Sequence, residues 1–150
     1  MKFFITMIAI TSMMISCSDN DDREDTIIKT PKINGTWKPV RYEFKGKTYP
    51  VTQCEAKGQI LINDNLSGIY EKYTSVTSGS CNMSDSFSGN WTFDMMSKTL
   101  TLTYTENGLM KTLIKDLEDF SDTELKIGDS SKDLDNTPGN DEAILVFTRQ

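Results

Sequence analysis

The sequence predicts an all-β domain, built as an antiparallel sandwich or barrel of about eight short strands. Apolar and polar side chains alternate over residues 86–95, which is the pattern of a strand with one buried face. Asn107-Gly108 separates two further β-prone segments, and this dipeptide is preferred in the two-residue turn of a hairpin. No long helical period occurs in residues 33–150, so the predicted core is built from strands alone.

The first half of the domain contains four predicted extended segments. Residues 40–45 alternate apolar and charged side chains, and Pro39 before them indicates an edge, a bulge or the start of a strand. A turn leads into a short extended piece at 47–51. Residues 59–63 form a compact apolar strand, and residues 66–76 are β-prone with a less regular pattern.

The second half continues the same organisation with shorter connections. A corner is expected at residues 118–122 and a polar loop at 129–142. The last strand, 143–149, is apolar on both faces, which favours a central or closing position over an exposed edge. The predicted strands of this half cover residues 86–95, 99–105, 109–117, 123–127 and 143–149.

The N-terminus has a different pattern. Lys2 precedes an uncharged, mostly apolar run to Ser16, as in a secretory signal peptide, and the run is short of the roughly 20 residues of a membrane span. Met14-Ile15-Ser16-Cys17 resembles a bacterial lipobox. The resemblance implies that residues 1–16 are removed and that the Cys17 thiol receives lipid chains such as palmitate, a permanent anchor. The alternative is an ordinary core cysteine after a buried helix.

Residues 17–32 form an acidic segment between this cysteine and the domain. Five acidic residues stand against one basic residue up to Thr26, so the segment will not fold alone and is predicted to be a flexible tether. Its start resembles the acidic export signal of surface lipoproteins in Bacteroidetes-type bacteria, which implies the outer membrane and display on the cell surface. A solvated spacer is the simpler alternative.

Charge and composition exclude several classes of function. Without Lys2 and the rest of the signal, the chain carries 15 basic and 22 acidic residues, a formal net charge of −7. Nucleic-acid binding is therefore not expected, because phosphates must meet a basic face. Histidine is absent, which excludes His-containing catalytic triads and His-ligated zinc. We expect no enzymatic activity, no catalytic residues and no cofactor.

The cysteines indicate one disulfide. If Cys17 carries lipid, an even pair remains, Cys54 and Cys81, and an exported chain favours their oxidation. Two cysteines without histidine cannot complete a tetrahedral zinc site.

The polar loop offers a weak resemblance to a calcium site. Asp133, Asp135 and Thr137 have the alternate spacing of a calcium loop, but Pro138 stands where an EF-hand requires glycine. We therefore predict a solvated loop and no metal.

The order of several short motifs resembles the lipocalin-like domains of bacterial lipoproteins. Gly35-Thr36-Trp37 is similar to the Gly-x-Trp of lipocalins, in which the tryptophan closes the base of the barrel. Further similar motifs are Cys54 before a strand, Gly89-Asn90-Trp91, the segment 121–125 and the terminal Val146-Phe147-Thr148-Arg149. The resemblance covers residues 33–150 and implies an up-and-down meander barrel of about eight strands. A helix after the last strand, present in many larger lipocalins, is missing.

This resemblance implies a lipid-anchored, non-catalytic protein that binds a small apolar molecule or serves as a scaffold. We expect a monomer. A carrier needs an internal cavity of about 300 Å³ with apolar walls. The alternative is a module that binds a surface protein or glycan within a larger assembly, for which Tyr49, Tyr70 and Tyr73 would form an exposed aromatic patch. The predicted ligand-binding side chains are Tyr42, Phe44, Trp91, Phe93, Leu102 and Tyr104, for which plain core packing is the alternative.

Overall fold

The computed structural model describes residues 32–150, and the described part is all-β as predicted. The signal peptide, Cys17 and the tether up to residue 31 lie outside the described residues, so those expectations stay predictions. The helical structure in residues 32–150 is one 3₁₀ turn, Glu55–Lys57, and no helix there is long and apolar enough to cross a membrane. The strands are β1 (Gly35–Phe44), β2 (Lys47–Pro50), β3 (Gln59–Ile62), β4 (Ser67–Ser75), β5 (Cys81–Asp94), β6 (Thr99–Glu106), β7 (Leu109–Phe120), β8 (Glu124–Lys132) and β9 (Asp141–Arg149).

The strands form a closed antiparallel barrel. Each strand from β3 to β9 pairs with the next along the chain, and β9 pairs with β1. β2 and β3 lie along the same edge of β1, because residues 41–44 of β1 pair with β2 while residues 35–37 pair with β3. The two short strands therefore occupy one position, and the barrel has eight positions. This confirms the predicted up-and-down meander.

A bulge in β1 explains the irregular start of the first strand. The pairing of β1 with β9 shifts register between Pro39 and Arg41. Proline has no N–H for the ladder, so a bulge is one of the few interior places where it fits. The shift changes the phase of alternation, and Trp37, Pro39 and Tyr42 are all buried. Of the three alternatives that the sequence left open for Pro39, an edge, a bulge or the start of a strand, the structure shows the bulge.

β9 is apolar on both faces because it closes the barrel under a ladder of charges. Val146 points outward, yet it is fully buried, since Arg41 of β1 and Lys126 of β8 lie directly opposite it. Arg41 pairs with Glu124 at 2.9 Å, and Lys126 pairs with Glu43 at 2.9 Å. The aliphatic stems of the two bases cover the valine while their charged ends stay near water.

Several strand boundaries differ from the predicted ones, and three of the differences fall in the second half of the chain. β5 begins at Cys81, about five residues early, because ladder hydrogen bonds to β4 continue past the end of the buried face. The predicted corner at 118–122 is wrong over its first part, since β7 runs to Phe120. A register shift between Leu117 and Asp119 breaks the alternation there and hides the strand from pattern analysis. β8 likewise continues to Lys132, into the predicted loop.

The base of the barrel is sealed by the first and last strands. Trp37 is fully buried, and its indole N–H donates to the carbonyl of Ile33 at 2.9 Å. The guanidinium of Arg149 lies 4.3 Å from the Trp37 ring and donates to the carbonyls of Lys32 and Asn34. We call this end of the barrel the closed end.

Two glycines allow close approach inside the barrel. Gly68 of β4 and Gly89 of β5 lie opposite each other. A Cβ on Gly68 would lie 1.9 Å from the carbonyl oxygen of Leu61, which accepts the indole N–H of Trp91 at 3.0 Å. A side chain at Gly68 would occupy the space in which the indole of Trp91, from the Gly-Asn-Trp motif, reaches the Leu61 carbonyl.

Candidate ligand site at the open end of the barrel

The barrel interior above the closed end is filled by side chains. Within residues 32–150, the cavity that reaches inward from the opposite end measures about 30 Å³, room for a single water molecule. This cavity lies beside Tyr42 and Tyr70. Its volume is far below the roughly 300 Å³ expected of a carrier. The buried core consists of Trp37, Ile60, Ile62, Tyr70, Trp91, Leu100, Leu102, Leu117, Leu125, Ile127 and Phe147.

Polar side chains line the open end around that small cavity. We call this group the mouth, and the phenol rings of Tyr42 and Tyr70, which are 2% and 8% exposed, form its floor. Open pockets of about 250 Å³ and 370 Å³ adjoin it, and Lys72 borders both. The mouth consists of Tyr42, Glu55, Tyr70, Lys72, Lys115, Asp129 and Lys132.

Three of the predicted ligand residues lie in the upper half of the barrel. Tyr42 borders the small cavity. Tyr104 stacks on Phe87, with ring centroids 4.3 Å apart. Phe44 is half-buried, with the ammonium of Lys45 at 4.6 Å from its ring.

The other three lie lower. Trp91 and Leu102 are almost completely buried in the core, and Phe93 packs edge-on against Phe120 toward the closed end. Alternation identified which side chains point inward, but it carries no information on their height along the barrel axis. Tyr42 alone among the six borders the mouth cavity, and ligand binding by the set stays a prediction.

Sequence reasoning missed Glu55, which belongs to the connection between β2 and β3. The predicted disulfide between Cys54 and Cys81 is confirmed, with 5.2 Å between the Cα atoms. This bond ties the 3₁₀ turn to the start of β5 and holds Glu55 over the barrel. The only sequence feature that could have pointed to Glu55 is the neighbouring Cys54.

Glu55 is the centre of a hydrogen-bond network in the mouth. Its Oε1 accepts from the Tyr42 hydroxyl at 3.2 Å and from the Lys132 ammonium at 2.6 Å. Its Oε2 accepts the backbone N–H of Thr52 at 2.8 Å. Burial works against the charged carboxylate, but the hydrogen bonds from Lys132 and Thr52 outweigh it and lower the pKa of Glu55. Glu55 is therefore ionised at neutral pH.

The tyrosines of the floor stay protonated. Burial is the main cause that raises the pKa of Tyr42, and the negative charges of Glu55 and Asp129 add to it. Burial also raises the pKa of Tyr70. The floor is therefore an uncharged aromatic surface with one hydroxyl committed to Glu55.

Lys115 differs from the other lysines of the mouth. Its ammonium lies 4.9 Å from the centroid of the Tyr70 ring. Burial lowers the pKa of Lys115, and repulsion from Lys72 adds to this, while Asp129 and Asp85 act in the opposite direction. The Lys115 ammonium forms neither a hydrogen bond nor an ion pair with any of residues 32–150.

A comparison with models of protein families identifies the family of this barrel. Residues 33–127 match the family model of the lipocalin-like domain. The chain belongs to the lipocalin-like family. A search of curated proteins found no match. Lipocalin-like barrels are in general binding folds, so the family supports small-molecule binding or a scaffold role.

The lipocalin-like barrel has a second, apolar cleft near its closed end. It measures about 270 Å³ and contains the predicted residue Phe93 together with Phe120, Leu117 and Met95. Lys98, Glu118 and Asp119 complete its lining.

Two other sequence predictions concern the acidic loop and the tyrosines of the lipocalin-like barrel. Oxygens of Asp133, Asp135 and Asp141 lie within 4.8 Å of one another, and each carboxylate accepts at least one backbone N–H. The predicted absence of a metal there stays a prediction. The proposed exposed patch of three tyrosines is wrong, because Tyr70 points into the barrel and is 8% exposed. Its position opposite Ile60 in the pairing of β3 and β4 decides this.

Proposed function

We propose that this chain is a lipid-anchored, non-catalytic protein of a bacterial envelope that binds a small molecule at the mouth of its barrel. The observation that carries the proposal is the filled interior beneath a polar mouth that adjoins open pockets of about 250 Å³ and 370 Å³. A ligand of this protein binds in these pockets at the open end rather than inside a deep cavity.

The size of the mouth suits a small ligand. The adjoining pocket of about 370 Å³ is within the size range of small-molecule sites, and that of about 250 Å³ lies just below it. Glu55 and Lys132, which both border the larger pocket, form an ion pair at 2.6 Å, so neither brings an unpaired charge to it.

The position of Lys32, the first described residue, bears on the anchoring part of the proposal. The backbone N–H of Lys32 donates to Asp122 at 3.4 Å, and Arg149 donates to the Lys32 carbonyl. The tether therefore joins the barrel at its closed end. A lipid on Cys17 would therefore attach the membrane to this end of the barrel through the flexible tether, and no chain segment of the tether would cross the mouth at the other end.

Native mass spectrometry of the full chain, purified from its host envelope, tests both parts. We expect a mass that includes acyl chains and a non-covalently retained small molecule. Cys17→Ser is expected to lose the acyl mass and to be released from the membrane while keeping the ligand. A ligand-free barrel that also takes up no small molecule from envelope extracts would overturn the binding proposal. Acylation of Cys17→Ser would overturn the anchor.

A second candidate function, binding a surface protein or glycan, is favoured by the outer face of β5, β6 and β7. Asn90, Thr103 and Thr112 lie in register across these strands, as do Thr92, Thr101 and Ile114. These two rows are uncharged in a chain of which 25% is charged. If this face binds a glycan, Thr103→Lys should abolish binding on a glycan array while leaving ligand retention at the mouth unchanged.

A further inference from the structure

We infer that the mouth binds an oxyanion group, carboxylate or phosphate, of its small-molecule ligand through Lys115 and Lys72. This inference rests on the proposed function and names the chemical class of the ligand at that site. Three observations carry it: an unpaired ammonium turned inward, a second ammonium across the same pocket, and acidic groups that are already engaged or too far to pair.

Lys115 is turned into the barrel by its strand. It lies in β7 two residues before Leu117, which is buried in the core, so both side chains face inward. It is half-buried against the Tyr70 ring. An ammonium has three donors, and none of the three meets an acceptor among residues 32–150. Partial burial of such a group opposes folding unless a partner satisfies it.

Other lysines on these strands show what Lys115 lacks. Lys111 on the same strand pairs with Glu106. Lys126 and Lys132 on β8 each pair with a glutamate, at 2.9 Å and 2.6 Å. Lys115 is the lysine of the mouth that faces inward and leaves its donors open to the pocket.

Lys72 brings a second positive charge to the same pocket. It comes from β4, which does not pair with β7, so the two lysines border the same pocket from two separate strands. Its one hydrogen bond in the described residues is a long one, 3.5 Å to the Ser131 hydroxyl. The charge of Lys72 lowers the pKa of Lys115 by repulsion. An anion between them relieves this repulsion and accepts from both.

The acids nearby do not replace that anion. Asp129 lines the pocket, but its Oδ1 accepts the backbone N–H of Ser131 at 2.8 Å. Asp129 and Asp85 favour the charged form of Lys115, yet neither forms an ion pair with it in residues 32–150. A charge-assisted hydrogen bond from a ligand is therefore still available to Lys115.

The pocket limits the size of the anion's carrier. Its volume is about 250 Å³, and Asp116 stands on its lining with Asp129. These carboxylates and the net charge of −7 after loss of the signal repel a polyanion. The pocket therefore suits a small carrier whose single carboxylate or phosphate group lies between the two lysines.

Lysine side-chain NMR of the full chain in non-ionic detergent tests the inference, with acetate, inorganic phosphate and chloride as probes. We expect acetate or phosphate to shift the Lys115 and Lys72 ammonium signals saturably and to raise the pKa of Lys115. Chloride at equal ionic strength should not. Selective response to acetate assigns a carboxylate, and selective response to phosphate assigns a phosphate.

Matched variants separate the two lysines from general charge effects. Lys115→Met should weaken acetate or phosphate binding at Lys72 at least tenfold. Lys111→Met, on the same strand but paired outside the pocket, should leave it unchanged. If Lys115→Met fails to fold, Lys72→Met and the titration of the unchanged chain give the same decision. Absence of saturable shifts, or equal shifts with chloride, overturns the inference.

Failure of this inference is distinguishable from failure of the proposed function. A neutral ligand retained at the mouth and indifferent to Lys115→Met would keep the proposed function and overturn the anion site. Absence of any retained or added small molecule, including both oxyanions, would overturn both.

Discussion

Removal of the Cys54–Cys81 bond provides a quantitative test of how the mouth is held in place. The bond closes a 27-residue separation between the β2–β3 connection and β5. In the chain-entropy description, such a loop stabilises the folded state by about 3.6 kcal/mol, because the unfolded chain loses conformational freedom. The double variant Cys54→Ala/Cys81→Ala should lose that amount. Alanine is chosen because Cys54 is buried and a serine hydroxyl would need a partner there.

Urea unfolding of residues 18–150 followed by tryptophan fluorescence measures the loss. With an m-value of about 2 kcal/mol/M, the midpoint should fall by about 1.8 M. Residues 18–150 contain no other cysteine, so reduction of the unchanged protein must reproduce the double variant. A midpoint change below about 0.5 M with an unchanged m-value would refute the reasoning. The m-value itself should rise, since the unlinked chain exposes more surface when it unfolds.

Three further perturbations test the barrel itself. Arg149→Met removes the hydrogen bonds to the carbonyls before β1 and the cation over Trp37, and should cost about 2–4 kcal/mol in urea unfolding. Gly68→Ala places a Cβ 1.9 Å from a carbonyl and should cost about 3 kcal/mol or more, whereas Gly128→Ala, with 3.9 Å of clearance, should be nearly neutral by thermal melting. Hydrogen bonds from Lys126 and then Arg41 lower the pKa of Glu43, so its stabilisation exists above about pH 4.5 and is lost as pH falls through the folded pKa. Between about pH 6 and pH 3, the free energy of unfolding measured in urea should therefore fall less for Glu43→Gln than for the unchanged protein. The difference between the two falls should be under about 1 kcal/mol.

Each of these three has an outcome that contradicts it. Unfolding of Arg149→Met at the unchanged midpoint would mean that the base is sealed by Trp37 alone. Equal melting of Gly68→Ala and Gly128→Ala would mean that β4 and β5 tolerate a wider separation than the barrel shows. Parallel pH curves for Glu43→Gln and the unchanged protein would mean that the ladder over Val146 acts through its aliphatic stems and not its charges.

Local patterns in the sequence determined the fold class of the described residues. Alternation over residues 86–95 reports which side chains face inward, because successive side chains of a strand point to opposite faces. Asn107 and Gly108 both adopt positive φ, as the tight hairpin they predicted requires. The pairing of Cys54 with Cys81 followed from the predicted export and from the assignment of Cys17 to the lipid. Such features depend on neighbours along the chain, so they are readable without coordinates.

Tertiary structure decided where along the barrel each inward side chain lies. Height depends on register and closure, and four register shifts, beside Pro39, Lys72, Leu117 and Asp129, move side chains in ways that alternation does not encode. Trp91 and Leu102 lie in the buried core, and Tyr70 forms part of the floor of the mouth. Glu55 reaches the mouth from the β2–β3 connection, which the Cys54–Cys81 disulfide holds in place. Lys115 looks like a solvent-facing charge in the sequence. The tertiary structure shows that its ammonium lies over the Tyr70 ring and that it shares a pocket with a second lysine, Lys72. These contacts join β7 to β4, and strands that do not pair leave no trace of each other in the local sequence pattern.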